Sequence, residues 1–271
     1  MTRIGISGWR YAGWRGSFYP TGLPQRLELT HAAERLSSVE VNGTFYSLQR
    51  PSSFAAWREQ VPDGFRFAVK GGRFITHLKR LRDVEAPLAN FLASGVLRLG
   101  PTLGPVLWQL PATVPFEPDV LEHFLQRLPR DHGEAAALAA GHDGRISGDR
   151  VWTTAEDPGQ PVRHALEPRS ETFRDPAFLD LARRYRVAVV VSDSAGRWPV
   201  FEDTTTDLVY VRLHGDTELY ASGYSDQALD RWAERIRRWE SEAGAEAWVY
   251  FDNDAKGHAP FDALRLRERL G

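Results

Sequence analysis

Polar and ionisable side chains recur in this sequence at one kind of place, the last positions of short apolar runs. Glu40 and Asn42 stand in VEVNGTFY (39–46), Lys70 in RFAVKG (66–71) and Gln109 in PVLWQLP (105–111). Glu167 and Arg169 stand in RHALEPR (163–169), and Asp193 in AVVVSDS (188–194). Arg212 and His214 follow in VYVRLHG (209–215), then Asp252, Asn253 and Asp254 in WVYFDND (248–254). IGISGW (4–9) is an eighth run of this kind, with Ser7 and Trp9 near its end. Carboxylates next to bases can move protons, and Lys and Arg can hold an anion while their charge tunes those carboxylates. Burying charge costs several kcal/mol unless it is paired, so charge at this many run ends points to a site. Glu40, Lys70, Glu167, Asp193 and His214 are the candidate catalytic groups, with Glu40, Glu167 or Asp193 as acid or base and His214 as a second proton carrier.

Around this set lie candidate binding groups. The segment KGGRFITHLKRLRD (70–83) carries Lys70, Arg73, His77, Lys79, Arg80 and Arg82 behind Gly71-Gly72, which allow close backbone approach. It reads as an anion clamp, or as an ordinary solvated basic loop. Rings follow the first run at Trp9, Tyr11, Trp14, Phe18 and Tyr19, and others follow later runs. They would cap the molecule or offer stacking walls to a sugar or base. The binding set is therefore Trp9, Trp14, Asn42, Arg73, His77, Gln109, Arg169, Arg212, Asn253 and Asp254.

The elements that must position these groups follow from hydrophobic period. Each run alternates as a strand does, so one face is apolar and the other carries the polar positions. Between the runs, residues 25–37, 52–60, 117–128, 175–185, 226–242 and 258–270 have helical spacing, two of them entered through Pro. Strand and helix in alternation predict parallel strands with crossover helices. Eight runs in 271 residues fit a (β/α)8 TIM barrel, a fold of about 250 residues whose sites lie at the C-terminal strand ends. The rival, a doubly wound sheet, would show a dinucleotide turn after the first strand, and SGWRYAGWRG has the wrong glycine spacing. Residues 131–161 are the poor fit, read as part helix and part surface excursion from one domain spanning 1–271.

Composition narrows the function classes. The chain has 42% hydrophobic and 26% charged residues and a net charge of −2, so no global field draws it to nucleic acid or an anionic membrane. It has no cysteine, which removes thiolate chemistry and fits a reducing cytoplasm. The N-terminus enters a strand pattern with no long apolar stretch, so neither a signal peptide nor a membrane span is expected. Carboxylates and His from several strand ends are one way barrels hold a divalent metal. Against that, H-x-H and H-E-x-x-H are absent, and Lys70 and Arg212 compete for the same carboxylates. No metal ligand is assigned and no cofactor is required.

SGWRYAGWRGSFYP, SVEVNGTFYSLQRPSSF, FRFAVKGGRFITHLKRL, LGPVLWQLP, SAGRWP, VYVRLHG, YASGYS and YFDNDAKGHAP together resemble the signature blocks of the YecE-like family, domain of unknown function seventy-two. The resemblance runs from residue 7 to residue 260 and implies a TIM barrel. It implies family polar positions at Glu40, Asn42, Lys70, His77, Gln109, Glu167, Arg169, Asp193, Arg212, His214, Asn253 and Asp254. The chain departs from the family pattern at Glu167-Pro168-Arg169-Ser170 and at Asp252. No reaction comes with the resemblance. The leading expectation is an enzyme acting on a small anionic or phosphate-bearing substrate. The alternative is a module for nucleic acid or a nucleotide, including a metal-dependent nuclease-like hydrolase.

Overall fold

Parallel strands alternate with helices along the chain, as the hydrophobic period requires. A computed structural model describes residues 2–271. Its strands are β1 (Arg3–Ser7), β2 (Ser38–Val41), β3 (Arg66–Lys70), β4 (Leu103–Gln109) and β5 (His164–Glu167). They continue as β6 (Val187–Val189), β7 (Val191–Asp193), β8 (Leu208–Leu213) and β9 (Glu246–Phe251). The helices are α1 (Glu28–Ala33), α2 (Gly43–Tyr46), α3 (Pro51–Glu59), α4 (Glu85–Ala93) and α5 (Pro118–Leu125). After them come α6 (His132–Ala139), α7 (Pro176–Arg184), α8 (Asp226–Glu242) and α9 (Ala259–Leu270). This is the TIM-like (β/α)-barrel fold class, with nine strands where eight runs were read. The difference lies at 188–194, where one expected strand is two, interrupted at Val190. At the break the Val189 amide donates to the Thr205 hydroxyl instead of to a neighbouring strand.

The chain forms two compact units, residues 1–40 with 188–271, and residues 41–187. In the first, β1 pairs with β9, β9 with β8 and β8 with β7, all parallel. The β1–β2 register sets Ser7 beside Glu40. In the second unit β3, β4 and β5 pair in parallel, and the register sets Gln109 beside Glu167. Strands covered on both faces read as near-continuous apolar runs. Accordingly Ile6, Val39, Val211 and Val249 are fully buried in the first unit, and Phe67, Ala68, Val69 and Leu166 in the second.

Helix ends follow the sequence signals. Pro51, Pro118 and Pro176 open α3, α5 and α7, where a missing N–H costs nothing. Asp131, Asp175 and Ser225 cap α6, α7 and α8 through side-chain oxygens that accept backbone N–H bonds. α8 buries Ala228, Leu229, Trp232, Ala233 and Ile236, one stripe at helical spacing. The 131–161 excursion is α6 followed by irregular chain that returns to the second unit. The Trp152 amide donates to Ala93 O at 2.7 Å, and Gln160 Nε2 donates to Gly100 O at 2.9 Å.

Candidate functional site

In the first unit the strand ends converge on a buried guanidinium. Arg212, on β8, is 0% exposed, as is Glu40 on β2. Arg212 donates to both Glu40 oxygens, from Nε to Oε2 at 3.1 Å and from Nη2 to Oε1 at 2.8 Å. This is the bidentate geometry that makes an Arg–carboxylate pair strong. Glu40 also accepts from Ser7 Oγ at 2.6 Å and from Tyr210 Oη at 2.6 Å. Arg212 Nη2 reaches Asp252 Oδ2 at 3.0 Å, and His214 Nδ1 lies 3.0 Å from the same oxygen. The His214 ring meets Trp198 and Tyr220 edge to face, at centroid distances of 5.5 and 5.3 Å. Both Glu40 oxygens have donors and water does not reach the pair, so the geometry is that of a structural ion pair.

Two other carboxylates of this unit sit differently. Burial raises the Asp193 carboxyl above its ordinary range, although Tyr224 Oη donates to Oδ2 at 3.1 Å. Burial, with the neighbouring Asp252 charge, raises Asp254 as well. Such groups hold a proton nearer neutral pH than ordinary carboxylates do. Asn253 is buried, and its amide donates to Asp262 Oδ2 and Ser222 O, each at 2.9 Å, so it ties the loop before α8 to α9.

In the second unit a cationic cluster forms at the ends of β3 and β5. Lys70 is buried, with Nζ 4.5 Å from the centre of the Phe45 ring. Phe45 meets His77 edge to face at 5.0 Å. His77 lies in a π-helical turn, Phe74–Leu78, closed by Lys79 N donating to Phe74 O at 2.8 Å. Such turns concentrate at functional sites. Burial lowers the His77 imidazole to about 4, and the charges of Lys70, Arg169 and Arg73 push it the same way. Glu167 opposes them, but its carboxylate is fully buried and accepts from Arg169 Nε at 2.9 Å. The neutral imidazole therefore sits among three cations and one already paired carboxylate. Its Nδ1 is within 2.9 Å of Thr76 Oγ1, so Nε2 is the nitrogen left for a ligand or a proton.

Local sequence explains the placement. Gly71 is needed because a Cβ there would lie 2.2 Å from the Trp108 ring, which packs against the backbone at the end of β3. Thr44 Oγ1 bonds Val41 O at 2.8 Å and Lys70 O at 2.7 Å, fixing α2 and hence Phe45 over Lys70.

The structure thus divides the expected residues into two sets. Glu40, Asp193, Arg212, His214, Asn253 and Asp254 belong to the first unit; Lys70, Arg73, His77, Gln109, Glu167 and Arg169 belong to the second. Gln109 is buried and donates to Leu110 O at 3.3 Å. Asn42 is the N-cap residue of α2, with no side-chain cap bond. The stacking wall expected at Trp9 and Trp14 is corrected. Both rings are buried, Trp14 at 1% exposure against Tyr11, Phe18 and Tyr19, because the loop after β1 folds these rings onto one another. The basic run 70–83 is also subdivided. Arg82 is held by both Glu117 oxygens at 2.7 Å, Lys79 by Asp83 at 3.4 Å, and Arg80 is exposed in the loop after the turn, which leaves Lys70, Arg73 and His77 in the cluster.

Several participants were not foreseen. Asp262 is buried and accepts from Asn253, Tyr224 and Arg265. Its signal was an acidic residue on the inner face of an otherwise apolar first helical turn. Arg145, Asn90 and Phe74 line a cleft in the second unit; their positions lie far apart in sequence and carry no motif. Among the described residues no three His, Asp or Glu side chains gather as a metal site would require, and no helix is long and apolar enough to cross a membrane.

Fold and site define the class: a parallel β/α-barrel protein with ionisable groups at its strand ends. The chain belongs to the family described as "Protein of unknown function DUF72", which it matches over residues 3–271. It is 31% identical over 189 residues to the UPF0759 protein YecE of Escherichia coli (strain K12), a match covering 65% of this chain and 65% of that protein. The chain thus spans just under two thirds of that relative's length. A crystal structure of a DUF72 family protein from Thermotoga maritima MSB8 is similar with a TM-score of 0.76 at 23% identity, covering 100% of this chain and 99% of that one. Another, from Enterococcus faecalis V583, gives 0.75 at 19% identity, covering 100% and 95%. At these identities the likeness shows the fold.

Proposed function

We propose that the protein is an enzyme acting on a small anionic or phosphate-bearing substrate, whose negative group is held by Lys70, Arg73, His77 and Arg169. The observation that carries this reading is the gathering of Lys70, Arg169 and Arg73 around the half-buried His77, whose imidazole all three charges push down. Guanidinium with ammonium is the donor set that recognises phosphate and carboxylate. Neutral at physiological pH, His77 is suited to accept a proton from a bound substrate. Glu40 and Arg212 act as a structural pair that fixes the strands of the first unit.

Calorimetry with inorganic phosphate and sulfate at low ionic strength tests the reading. Millimolar affinity is expected, weakened about tenfold or more in Lys70→Met through loss of one charge-assisted contact. A bound anion raises the His77 pKa from about 4, so sulfate, which does not itself titrate here, binds with proton uptake and tightens as pH falls from 7 towards 5. His77→Gln removes that pH dependence. Absence of phosphate and sulfate binding at 10-millimolar order, or binding indifferent to Lys70→Met, overturns the proposal.

A further inference from the structure

Beside the cationic cluster, the second unit carries a cleft that the anion reading leaves unused. Its volume is about 220 Å³, and its walls include Phe45, Tyr46, Phe74 and Phe91 with the guanidinium-bearing Arg73 and Arg145. Two of these residues belong to the cationic cluster as well. Phe45 carries Lys70 Nζ at 4.5 Å and His77 at 5.0 Å, and the Arg73 charge acts on His77. Cleft and cluster are therefore contiguous.

Its lining is unusual for a surface. Tyr46 is 70% exposed and Phe74 is 37% exposed, although large rings gathered at a cleft mark binding surfaces more often than idle ones. The Arg145 guanidinium stands 5.3 Å from the centre of the Phe74 ring. Its backbone is held in place: Arg145 N donates to Asp143 Oδ1 at 2.9 Å, and Asp143 exchanges two 3.0 Å bonds with Asn90 on α4. The irregular excursion thus places Arg145 at the rim, with its guanidinium also 3.7 Å from Asp143 Oδ2. A cavity of about 150 Å³ accommodates benzene, so 220 Å³ has room for a substituted single ring or a compact bicycle.

We infer that this cleft holds the planar aromatic part of the ligand whose negative group the Lys70–His77 cluster binds, so that the substrate class is a compact aromatic phosphate or carboxylate. This rests on the anion reading above. Edges of Phe and Tyr and the plane of a guanidinium favour a π-face over a saturated ring of equal size.

Gly72 supplies a clean test. It lines the cleft, and a Cβ there would meet Thr44 O at 3.8 Å and nothing closer, so the backbone tolerates a side chain at this lining position. Inorganic phosphate, phenol, phenyl phosphate and cyclohexyl phosphate are titrated into wild type, Gly72→Val and Tyr46→Ser, with thermal melting as the check on folding. Phenyl phosphate is expected to bind wild type at least tenfold more tightly than phosphate and several-fold more tightly than cyclohexyl phosphate. In both variants it falls to the phosphate level, and in Tyr46→Ser, outside the cationic cluster, phosphate binding is unchanged. Phosphate and phenyl phosphate binding equally to wild type overturns the aromatic inference and leaves the anion reading intact, as does equal binding of the phenyl and cyclohexyl esters. Phenyl phosphate binding that survives in both variants also overturns it. Absence of phosphate binding, with phenol still held and lost in Gly72→Val, overturns the anion reading and keeps the aromatic cleft. Absence of binding by any probe overturns both.

Discussion

Glu40 and Arg212 show how one polar residue in a strand can serve the fold more than the chemistry. Both are fully buried, and every Glu40 oxygen has donors from Arg212, Ser7 or Tyr210. The Coulomb attraction of such a pair roughly offsets its desolvation, but removing one partner strands the other charge in a dry interior. Glu40→Gln should therefore lower unfolding free energy by about 3–5 kcal/mol in urea titrations. The double variant Glu40→Met/Arg212→Met should recover most of that loss. Phosphate affinity of the folded fraction should be unchanged, because the cationic cluster is built from other residues. A Glu40→Gln protein as stable as wild type would mean that the charge is not buried in solution. Lys70 makes the contrast. It too is buried, but its Nζ lies 4.5 Å from the centre of the Phe45 ring, in a cluster it shares with Arg73, Arg169, Glu167 and His77.

Among the elements, the π-helical turn Phe74–Leu78 and the loop behind it concentrate the strain of the molecule. Arg80, Leu81 and Asp83 have φ of 50°, 66° and 46°, the left-handed region that costs a non-glycine residue about 1–2 kcal/mol. The conformation persists because the Leu81 side chain is buried and its amide donates to Ile75 O at 3.1 Å. Arg80 is exposed, so Arg80→Gly relieves strain without removing packing. Stability should rise by about 0.5–1 kcal/mol after the entropy cost of glycine, with anion affinity unchanged; a loss of stability measured by urea unfolding would contradict the strain. Nothing in FITHLKRLRD announces this turn, because left-handed φ at Arg and Leu has no compositional mark. The regular elements were far more legible. Period-two runs located the strands, and Asp175 and Ser225 cap helices where the sequence placed starts, while Asp131 caps a helix inside the stretch read only as part helix. The run-end residues were legible as polar positions, but not their division into two clusters, since partners such as Asn90 and Asp143 are joined only by folding. The break at Val190 escaped for the same reason, since Thr205 supplies the competing hydroxyl.

At the scale of the whole molecule, buried histidines make stability depend on pH in a direction the structure fixes. Burial is the leading cause that lowers His31, His77, His132 and His164, the second and last of these to about 4. The reason is plainest at His164. Trp108 Nε1 can only donate, so at 3.1 Å it requires a bare lone pair on His164 Nδ1. Nε2 then carries the single proton and donates it to Pro129 O at 2.8 Å. A second proton would set N–H against N–H in a dry core. The unfolded chain takes up that proton near pH 6.5 while the folded chain refuses it until about 4. Stability is thus full above pH 7 and falls as pH drops through this window, by up to about 3 kcal/mol for His164 alone. Asp193 and Asp254 act oppositely, since their raised folded pKa values return stability as they protonate. Glu85, Asp143 and Asp226 are lowered and withdraw stability only below the ordinary carboxylate range. The histidines therefore dominate between pH 6.5 and 5. His164→Gln can accept from Trp108 and donate to Pro129 without titrating. Its unfolding free energy should fall less steeply over that interval, by about 1.4 kcal/mol per pH unit, the slope of one proton. Equal slopes in urea unfolding at pH 7, 6 and 5 would show that His164 does not hold its neutral form.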